Sequence, residues 1–146
     1  MSFHDNDAFR VFCTYAGLTT VKMMSLSVYT IMLRMKNDVF MNTEDKQSKD
    51  SKVGININDY IERVRRCHRN DLENIVPFLS LGFLYAITNP SVYSATMCYR
   101  IFFASRILHS IAYLTPLPQP SRALCFIVGW FVNATMAWGI ISFGMF

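Results

Sequence analysis

Residues 123–146 form one uncharged apolar segment with the sequence ALCFIVGWFVNATMAWGIISFGMF. A helix rises about 1.5 Å per residue, so roughly 20 apolar residues cross the hydrocarbon core of a membrane, which is about 30 Å thick. The full chain of 146 residues supports the same interpretation, because 52% of it is hydrophobic and only 16% is charged, whereas about 25% is usual for soluble domains. We therefore predict a membrane-spanning helix in a chain whose length corresponds to one domain, residues 1–146.

Three further helices are predicted upstream of this segment, at about residues 8–33, 59–88 and 95–114. The first is longer than the apolar region of a cleaved signal peptide, which has about 7–15 residues. The second is predicted to begin near Asp59, with Glu62 completing a capping box. The third ends where alternate prolines prevent a helix from continuing. The chain is therefore predicted to be an all-α integral membrane bundle of four helices, with a polar loop at about residues 34–58.

Two local features lie inside the predicted helices. Pro77 cannot donate a hydrogen bond to the carbonyl of Glu73, so a kink near Glu73 is one interpretation. The other interpretation is that proline is common in membrane helices and carries no further meaning. Asn133-Ala134-Thr135 matches the glycosylation pattern but lies in the middle of the fourth helix, so we expect it to be unmodified.

Lysine and arginine are concentrated in one part of the chain, since nine of the fourteen lie between Arg34 and Arg69. The connection at residues 88–94 contains none, and the third connection contains Arg122. Because cytoplasmic connections of membrane proteins are enriched in these residues, the first and third connections are predicted to face the cytosol, with both termini on the opposite side. A nucleic-acid surface is disfavoured, because the basic block adjoins apolar segments and lacks the fold context of such modules.

The cysteines and histidines are scattered along the chain. Cys13, Cys67, Cys98 and Cys125 have no C-x-x-C spacing, and the three histidines do not cluster. We therefore predict no metal site and no disulfide framework. Free thiols in a reducing compartment are the simpler account of the cysteines.

Lys22, Arg100 and Arg106 are basic residues well inside the apolar segments, whereas Arg10 lies near the end of the first. A charged side chain within a bilayer costs roughly 2.5–3.5 kcal/mol on insertion scales and usually faces a protein interior or a cavity. Arg106, His109 and Tyr113 occupy positions i, i+3 and i+7 of the third helix and share one face, which is predicted to point into the bundle. For Lys22 and Arg100, an interior partner and a snorkelling side chain both remain open.

The predicted topology also brings hydrogen-bond donors from all four helices to one membrane level. Arg34 ends the first helix on the cytosolic side, and Arg122 opens the fourth. The second helix brings a basic segment followed by Glu73, and the third brings Arg106. Arginines that surround one carboxylate would suit an anionic ligand that also carries an amine. The alternative is a set of charges that stop translocation and keep their heads in water.

Two long stretches of the chain resemble a known family. They are residues 62–78, ERVRRCHRNDLENIVPF, and residues 106–120, RILHSIAYLTPLPQP. Both resemble the microsomal glutathione transferase branch, type 1, of the membrane-associated eicosanoid and glutathione metabolism family. The segment from Lys22 to Arg34 and the four-helix layout agree, so the resemblance covers nearly the whole chain.

The resemblance implies a homotrimer that binds glutathione between neighbouring subunits near the cytosolic face. Glutathione would be the co-substrate, and no metal or other cofactor is needed. Arg122 matches the arginine that the family places near the thiol, and it is the predicted catalytic residue. The residues that match glutathione-contacting positions, or lie in the same motifs, are Arg34, Arg65, Arg66, His68, Glu73, Asn74, Arg106 and Tyr113.

The activity implied by the resemblance is transfer of the glutathione thiolate to hydrophobic electrophiles, with peroxidase activity on lipid hydroperoxides. The implied location is the endoplasmic reticulum membrane, with the mitochondrial outer membrane as a second location. The alternative is a non-catalytic lipid-binding or scaffold member of the same fold. A channel is disfavoured because the lumenal halves of the helices are apolar. The first loop contains no cysteine, so activation by thiol modification would fall to Cys67, for which an inert thiol is the other interpretation.

Overall fold

The computed structural model describes residues 6–55 and 57–145, which fold into a bundle of four α-helices. Their bounds are Asp7–Asn37 for α1, Asp59–Ile87 for α2, Val92–Leu114 for α3 and Ser121–Met145 for α4. Helix α1 packs against α2 and α3, and α4 packs against α2 and α3. The predicted all-α bundle of four helices is therefore confirmed. The predicted end of the fourth helix at Phe146 lies outside the described residues.

Two of the described helices, α1 and α4, are long and apolar enough to cross a membrane. Only 11% of the apolar window of α1 and 17% of that of α4 is buried inside the chain. The core helix of a soluble protein would be mostly buried, whereas apolar helices that face outward are suited to a lipid environment. That α2 and α3 also cross the membrane stays a prediction.

Helix α1 extends further than predicted, because residues 34–37 are helical rather than part of the loop. Arg34 and Lys36 lie in the last turn, where positive charge interacts favourably with the helix dipole. The helix ends at Asp38, whose backbone is left-handed with a φ of 52°. The backbone N–H of Asp38 donates to the carbonyls of Arg34 and Met35, which closes the last turn.

The first loop contains regular structure that the sequence did not predict. Its strands β1, Val39–Phe40, and β2, Lys52–Val53, pair in parallel. The carboxylate of Asp38 accepts hydrogen bonds from Ser51 Oγ at 2.6 Å and from Ser48 Oγ at 3.2 Å. Both residues of β1 are buried, so these bonds and this burial hold the loop against the end of α1.

The predicted capping box at the start of α2 was wrong. Asn58 caps the helix instead, because its side-chain oxygen accepts from the backbone N–H groups of Tyr60 at 3.0 Å and Ile61 at 3.1 Å. An asparagine in extended conformation can satisfy two of the free donors of the first turn by itself. Glu62 pairs with Arg65 at 2.7 Å, and it does not bond to the backbone N–H of a cap residue.

The core at one end of the bundle is aromatic. Phe78 on α2 stacks on Phe102 of α3 with ring centroids 4.0 Å apart, and Phe12 on α1 packs edge-on against Tyr99 at 5.6 Å. A Cβ at Gly82 would lie 2.7 Å from the ring of Phe12, so this close approach of α1 and α2 requires glycine. The polar residues described below lie towards the opposite end of the bundle, where the first and third connections are located.

Helices α2 and α4 contact each other beside Pro77, which lies within a continuous α2. The side-chain amide of Asn133 donates to the carbonyl of Asn74 at 3.4 Å. Asn133 is buried, which agrees with the expectation that the glycosylation pattern there is unused.

Candidate functional site

A cationic cavity of about 750 Å³ lies between the C-terminal part of α1 and the N-terminal part of α2. Four of the predicted site residues line it, namely Arg34, Arg65, Arg66 and His68. They converge because α1 brings its last turns to the cavity, while α2 presents residues spaced three and four apart. Met41 and Ile55 from the first loop cover part of the same cavity.

Hydrogen bonds between side chains fix part of the polar lining of this cavity. His68 Nε2 lies 3.1 Å from Ser27 Oγ, which fixes the orientation of the ring. Arg65 forms two bonds to Glu62, at 2.7 and 2.9 Å. Within the described residues, the buried Nε of Arg34 has no acceptor. The cavity therefore holds guanidinium groups with donor capacity to spare, as a site for a carboxylate requires.

Glu73 and Asn74 lie further along α2 and line a second cavity of about 470 Å³ between α2 and α4. Its walls are mostly apolar and include Pro77, Phe126 and Trp130. This cavity places one carboxylate beside aromatic and aliphatic surface. Glu73 follows Arg66 by about two helical turns on the same side of α2, and it lines a different cavity from the arginines.

Arg122 and Tyr113 form a third group, where α3 ends and α4 begins. The guanidinium carbon of Arg122 lies 5.0 Å from the centroid of the Tyr113 ring, and that ring lies 5.6 Å from His109. The Nε of Arg122 is buried and finds no acceptor among the described residues. The predicted catalytic residue is thus oriented by an aromatic ring while part of its donor capacity stays free.

Arg106 is fully buried inside the bundle. It donates to Asn70 Oδ1 at 3.2 Å and to the backbone carbonyl of Cys125 at 3.1 Å. His109, one turn further along, is also buried, with 3% exposure. The prediction that this face of α3 points into the bundle is confirmed. That Arg106 touches glutathione stays a prediction, since its contacts here are with the protein itself.

A buried ion pair that sequence analysis did not assign joins α1 to α2. Lys22 pairs with Asp71, a fully buried residue, and also donates to Ser110 of α3. The thiol of Cys67 donates to the same Ser110 hydroxyl at 3.4 Å. The signal available in the sequence was a lone lysine in an apolar helix, which requires a buried acid. The open question about Lys22 is thereby answered in favour of an interior partner.

The structure also shows the surroundings of Arg100 and Cys67, for which the sequence left two interpretations open. Arg100 donates its Nε–H to the hydroxyl of Tyr15 at 3.0 Å on an exposed surface. Cys67 is fully buried, which agrees with an inert rather than a regulatory thiol. Over residues 6–55 and 57–145, no cluster of three or more His, Cys, Asp or Glu could hold a metal ion.

Comparison with known proteins identifies the family. A sequence model of the MAPEG family matches residues 12–142. Microsomal glutathione S-transferase 1 of Mus musculus is 45% identical over 141 residues, covering 94% of this chain and 91% of its own. The protein of that name in Homo sapiens is 44% identical over 142 residues, covering 94% and 92%.

Prostaglandin E synthase of Bos taurus is more distant, at 35% identity over 130 residues, which cover 89% of this chain and 85% of the relative. Both kinds of relative align along almost the whole chain, so the likeness is not confined to one motif. The chain therefore belongs to the MAPEG family, the family of membrane-associated proteins of eicosanoid and glutathione metabolism that its motifs resemble.

Proposed function

We propose that this chain is a membrane-bound glutathione transferase that joins the glutathione thiolate to hydrophobic electrophiles. The observation that carries the proposal is the cationic cavity of Arg34, Arg65, Arg66 and His68. It occurs in a chain that is 45% identical to a protein named microsomal glutathione S-transferase 1. The same thiolate would reduce lipid hydroperoxides, because both reactions begin with nucleophilic attack by sulfur.

The chemistry of glutathione fits the polar groups present. The tripeptide carries two carboxylates, one ammonium and one thiol. Guanidinium forks match carboxylates in geometry and charge, so the arginines of the cationic cavity would hold one or both. Glu73 supplies the carboxylate that would face the ammonium, with Asn74 beside it.

A homotrimer would bring the separate groups together. In one chain the arginines line one cavity, Glu73 lines another, and the Tyr113–Arg122 pair lies where α3 meets α4. Each surface is incomplete for glutathione, whereas a site between neighbouring subunits could take the arginines from one and Tyr113 with Arg122 from the next. The large exposed apolar surface of α1 and α4 leaves room for such packing as well as for lipid.

Arg122 is the proposed catalytic residue. An ordinary thiol has a pKa of about 8.5, so most glutathione is protonated at neutral pH. A cation close to sulfur favours the thiolate. The thiolate then attacks the electrophilic carbon, and the leaving group departs with its electron pair.

The proposed function also implies a position for the site in the membrane. All four helices would cross the membrane, and the site would open on the cytosolic side. Hydrophobic electrophiles and lipid hydroperoxides would reach it from the bilayer. The endoplasmic reticulum membrane is the proposed location, with the mitochondrial outer membrane as a second one.

The experiment is turnover by purified protein in detergent, with glutathione and a chlorinated nitroaromatic, followed by absorbance of the conjugate. A parallel assay with an organic hydroperoxide measures the peroxidase reaction. We expect turnover in the first assay. Glutathione binding without turnover in either assay would contradict the proposal and favour a non-catalytic lipid-binding or scaffold member of the fold.

A further inference from the structure

The contacts of Arg106 link α3 to two other helices at one point. Its Nη1 donates to Asn70 Oδ1 on α2 at 3.2 Å, and its Nη2 donates to the carbonyl of Cys125 on α4 at 3.1 Å. The side chain has no exposed surface. Arg106 therefore links the first turns of α4 to α2 through its two hydrogen bonds.

Glycine at position 129 makes this approach possible. A Cβ there would lie 3.4 Å from both Nε and Nη2 of Arg106, and 3.1 Å from Ser105 Oγ. The guanidinium group thus passes directly over the backbone of α4, one turn beyond the carbonyl it bonds. A Cβ alone would meet Arg106 at an ordinary contact distance and press on Ser105 Oγ, whereas the further methyl groups of valine would have to displace neighbouring atoms.

The contacted face of α4 is the face that carries Arg122. Arg122, Cys125 and Gly129 stand at positions i, i+3 and i+7, which share one side of a helix. Tyr113 lies near the C-terminal end of α3, two turns beyond Arg106. The centroid of its ring is 5.0 Å from the guanidinium carbon of Arg122. Two contacts therefore fix α4 against α3, one at Arg122 itself and one further along α4 at Cys125 and Gly129.

Arg106 is held in the interior by hydrogen bonds rather than by an ion pair of its own. Asn70 is followed on α2 by Asp71, which pairs with Lys22. A buried guanidinium is costly unless it is hydrogen-bonded. Both terminal nitrogens of Arg106 bond to the protein, while its Nε has no acceptor among the described residues.

We propose that Arg106 is a positioning residue that sets the register of α4 on α3 and thereby the place of Arg122 at the thiol. The inference rests on the proposed function, since it assumes that Arg122 acts on bound glutathione. It assigns Arg106 no contact with glutathione.

The test compares Arg106→Lys and Gly129→Val with the matched control Gly144→Val, all in the full chain. Lysine keeps the charge, but its single nitrogen cannot reproduce the planar fork whose two terminal nitrogens bond Asn70 and Cys125 separately. Valine at 129 adds volume where none is free, while a Cβ at 144 would meet no atom of the described residues within 4 Å. Each variant is measured for glutathione affinity, for thiolate absorbance per bound glutathione and for kcat.

We expect Arg106→Lys and Gly129→Val to lower thiolate per bound glutathione and kcat by roughly tenfold, since small misplacements of a catalytic group have large effects. Glutathione affinity should change by less than about twofold, because the carboxylate-binding arginines are untouched. Gly144→Val should match the wild type. If Gly129→Val does not assemble, Gly129→Ala is the graded variant and should show a smaller loss of the same kind.

Two results would overturn the positioning role. One is weakened glutathione binding in Arg106→Lys with an unchanged thiolate fraction, which would place Arg106 at the ligand. The other is a normal thiolate signal and normal kcat in Arg106→Lys. If the wild-type protein itself shows no bound thiolate and no turnover, the proposed function fails instead.

Discussion

The guanidinium carbon of Arg122 lies 5.0 Å from the centre of the Tyr113 ring. These residues belong to different helices and are separated by the proline-rich connection between α3 and α4. A cation over an aromatic face is stabilised by roughly 0.5–2 kcal/mol, depending on its exposure. The contact holds the guanidinium group in one place. Within the described part of the chain, its buried Nε has no hydrogen-bond acceptor. Such a group is preorganised to meet a negative charge that develops on a ligand.

The first prediction concerns Arg122→Leu. We expect preserved glutathione binding but loss of the thiolate absorbance of the bound ligand, because other arginines hold the carboxylates. Turnover should fall by roughly 10²-fold or more, as for the loss of one preorganised charged donor. Arg100→Leu is the matched control, since Arg100 bonds to Tyr15 on an exposed surface. Normal thiolate absorbance in Arg122→Leu would leave Arg122 as a loop charge.

The second prediction concerns Glu73→Gln, which keeps the size of the side chain and removes its charge. Glutathione affinity should fall roughly 10-fold, because a hydrogen bond to a charged group contributes about 1.5–3 kcal/mol. The thermal midpoint should stay unchanged. The control is Glu44→Gln, in the exposed 3-10 turn Thr43–Asp45 of the first loop. Equal affinity of the Glu73 variant and the wild type would remove Glu73 from the site.

The third prediction concerns the Lys22–Asp71 pair. Asp71→Leu leaves the Lys22 ammonium buried without its carboxylate, which should destabilise the protein by about 3–5 kcal/mol. The double variant Lys22→Met with Asp71→Leu should recover most of that loss, because both charges are absent. Thermal unfolding in detergent measures both. Equal stability of the single and double variants would contradict an energetic coupling between the two residues.

The fourth prediction concerns assembly. Detergent-corrected mass should correspond to three chains, since the groups proposed to bind glutathione lie on separate surfaces of one chain. Co-expression of Arg66→Leu with Arg122→Leu, each inactive alone, should restore part of the activity, because a mixed trimer contains some sites with both arginines. A fully active monomer, or no recovery in verified mixed trimers, would argue against a site between subunits.

The fifth prediction concerns topology. In a background without the exposed Cys13, a cysteine placed at Ser48 should react with a membrane-impermeant reagent added from the cytosol. A cysteine at Tyr93, which is 76% exposed and lies within residues 88–94, where there is no lysine or arginine, should react only from the opposite side. The reverse pattern would place the cationic cavity on the lumenal side and contradict the proposed access of cytosolic glutathione.

Several features of this protein follow from local sequence alone. The four helices are visible as apolar segments bounded by polar or proline-rich runs, because helix formation and membrane insertion depend on consecutive residues. The inward face of α3 also follows, since Arg106 and His109 one turn apart are too polar to face lipid. The family is recognisable because long motifs around Arg66 and Arg106 keep their residues in order.

Other features required the packed chain. Asp71 is 49 positions away from Lys22, and the sequence does not say which acid a buried lysine will meet. Glu73 lines a different cavity from Arg66 because α2 packs against α1 along one part of its length and against α4 along the next. Asn58 rather than the adjacent Asp59 caps α2, because the backbone geometry of the loop determines which residue occupies the cap position.

The reason for this division is physical. Helix type, length and insertion depend on the free energies of neighbouring residues, which add along the chain. Partners such as Arg106 and the Cys125 carbonyl are determined by the register between helices, which depends on close packing over residues distant in sequence. The apolar segments alone determined that this chain is a four-helix bundle suited to a membrane, whereas only the tertiary structure decided that its arginines serve two different tasks, some lining a cavity and one holding the helices in place.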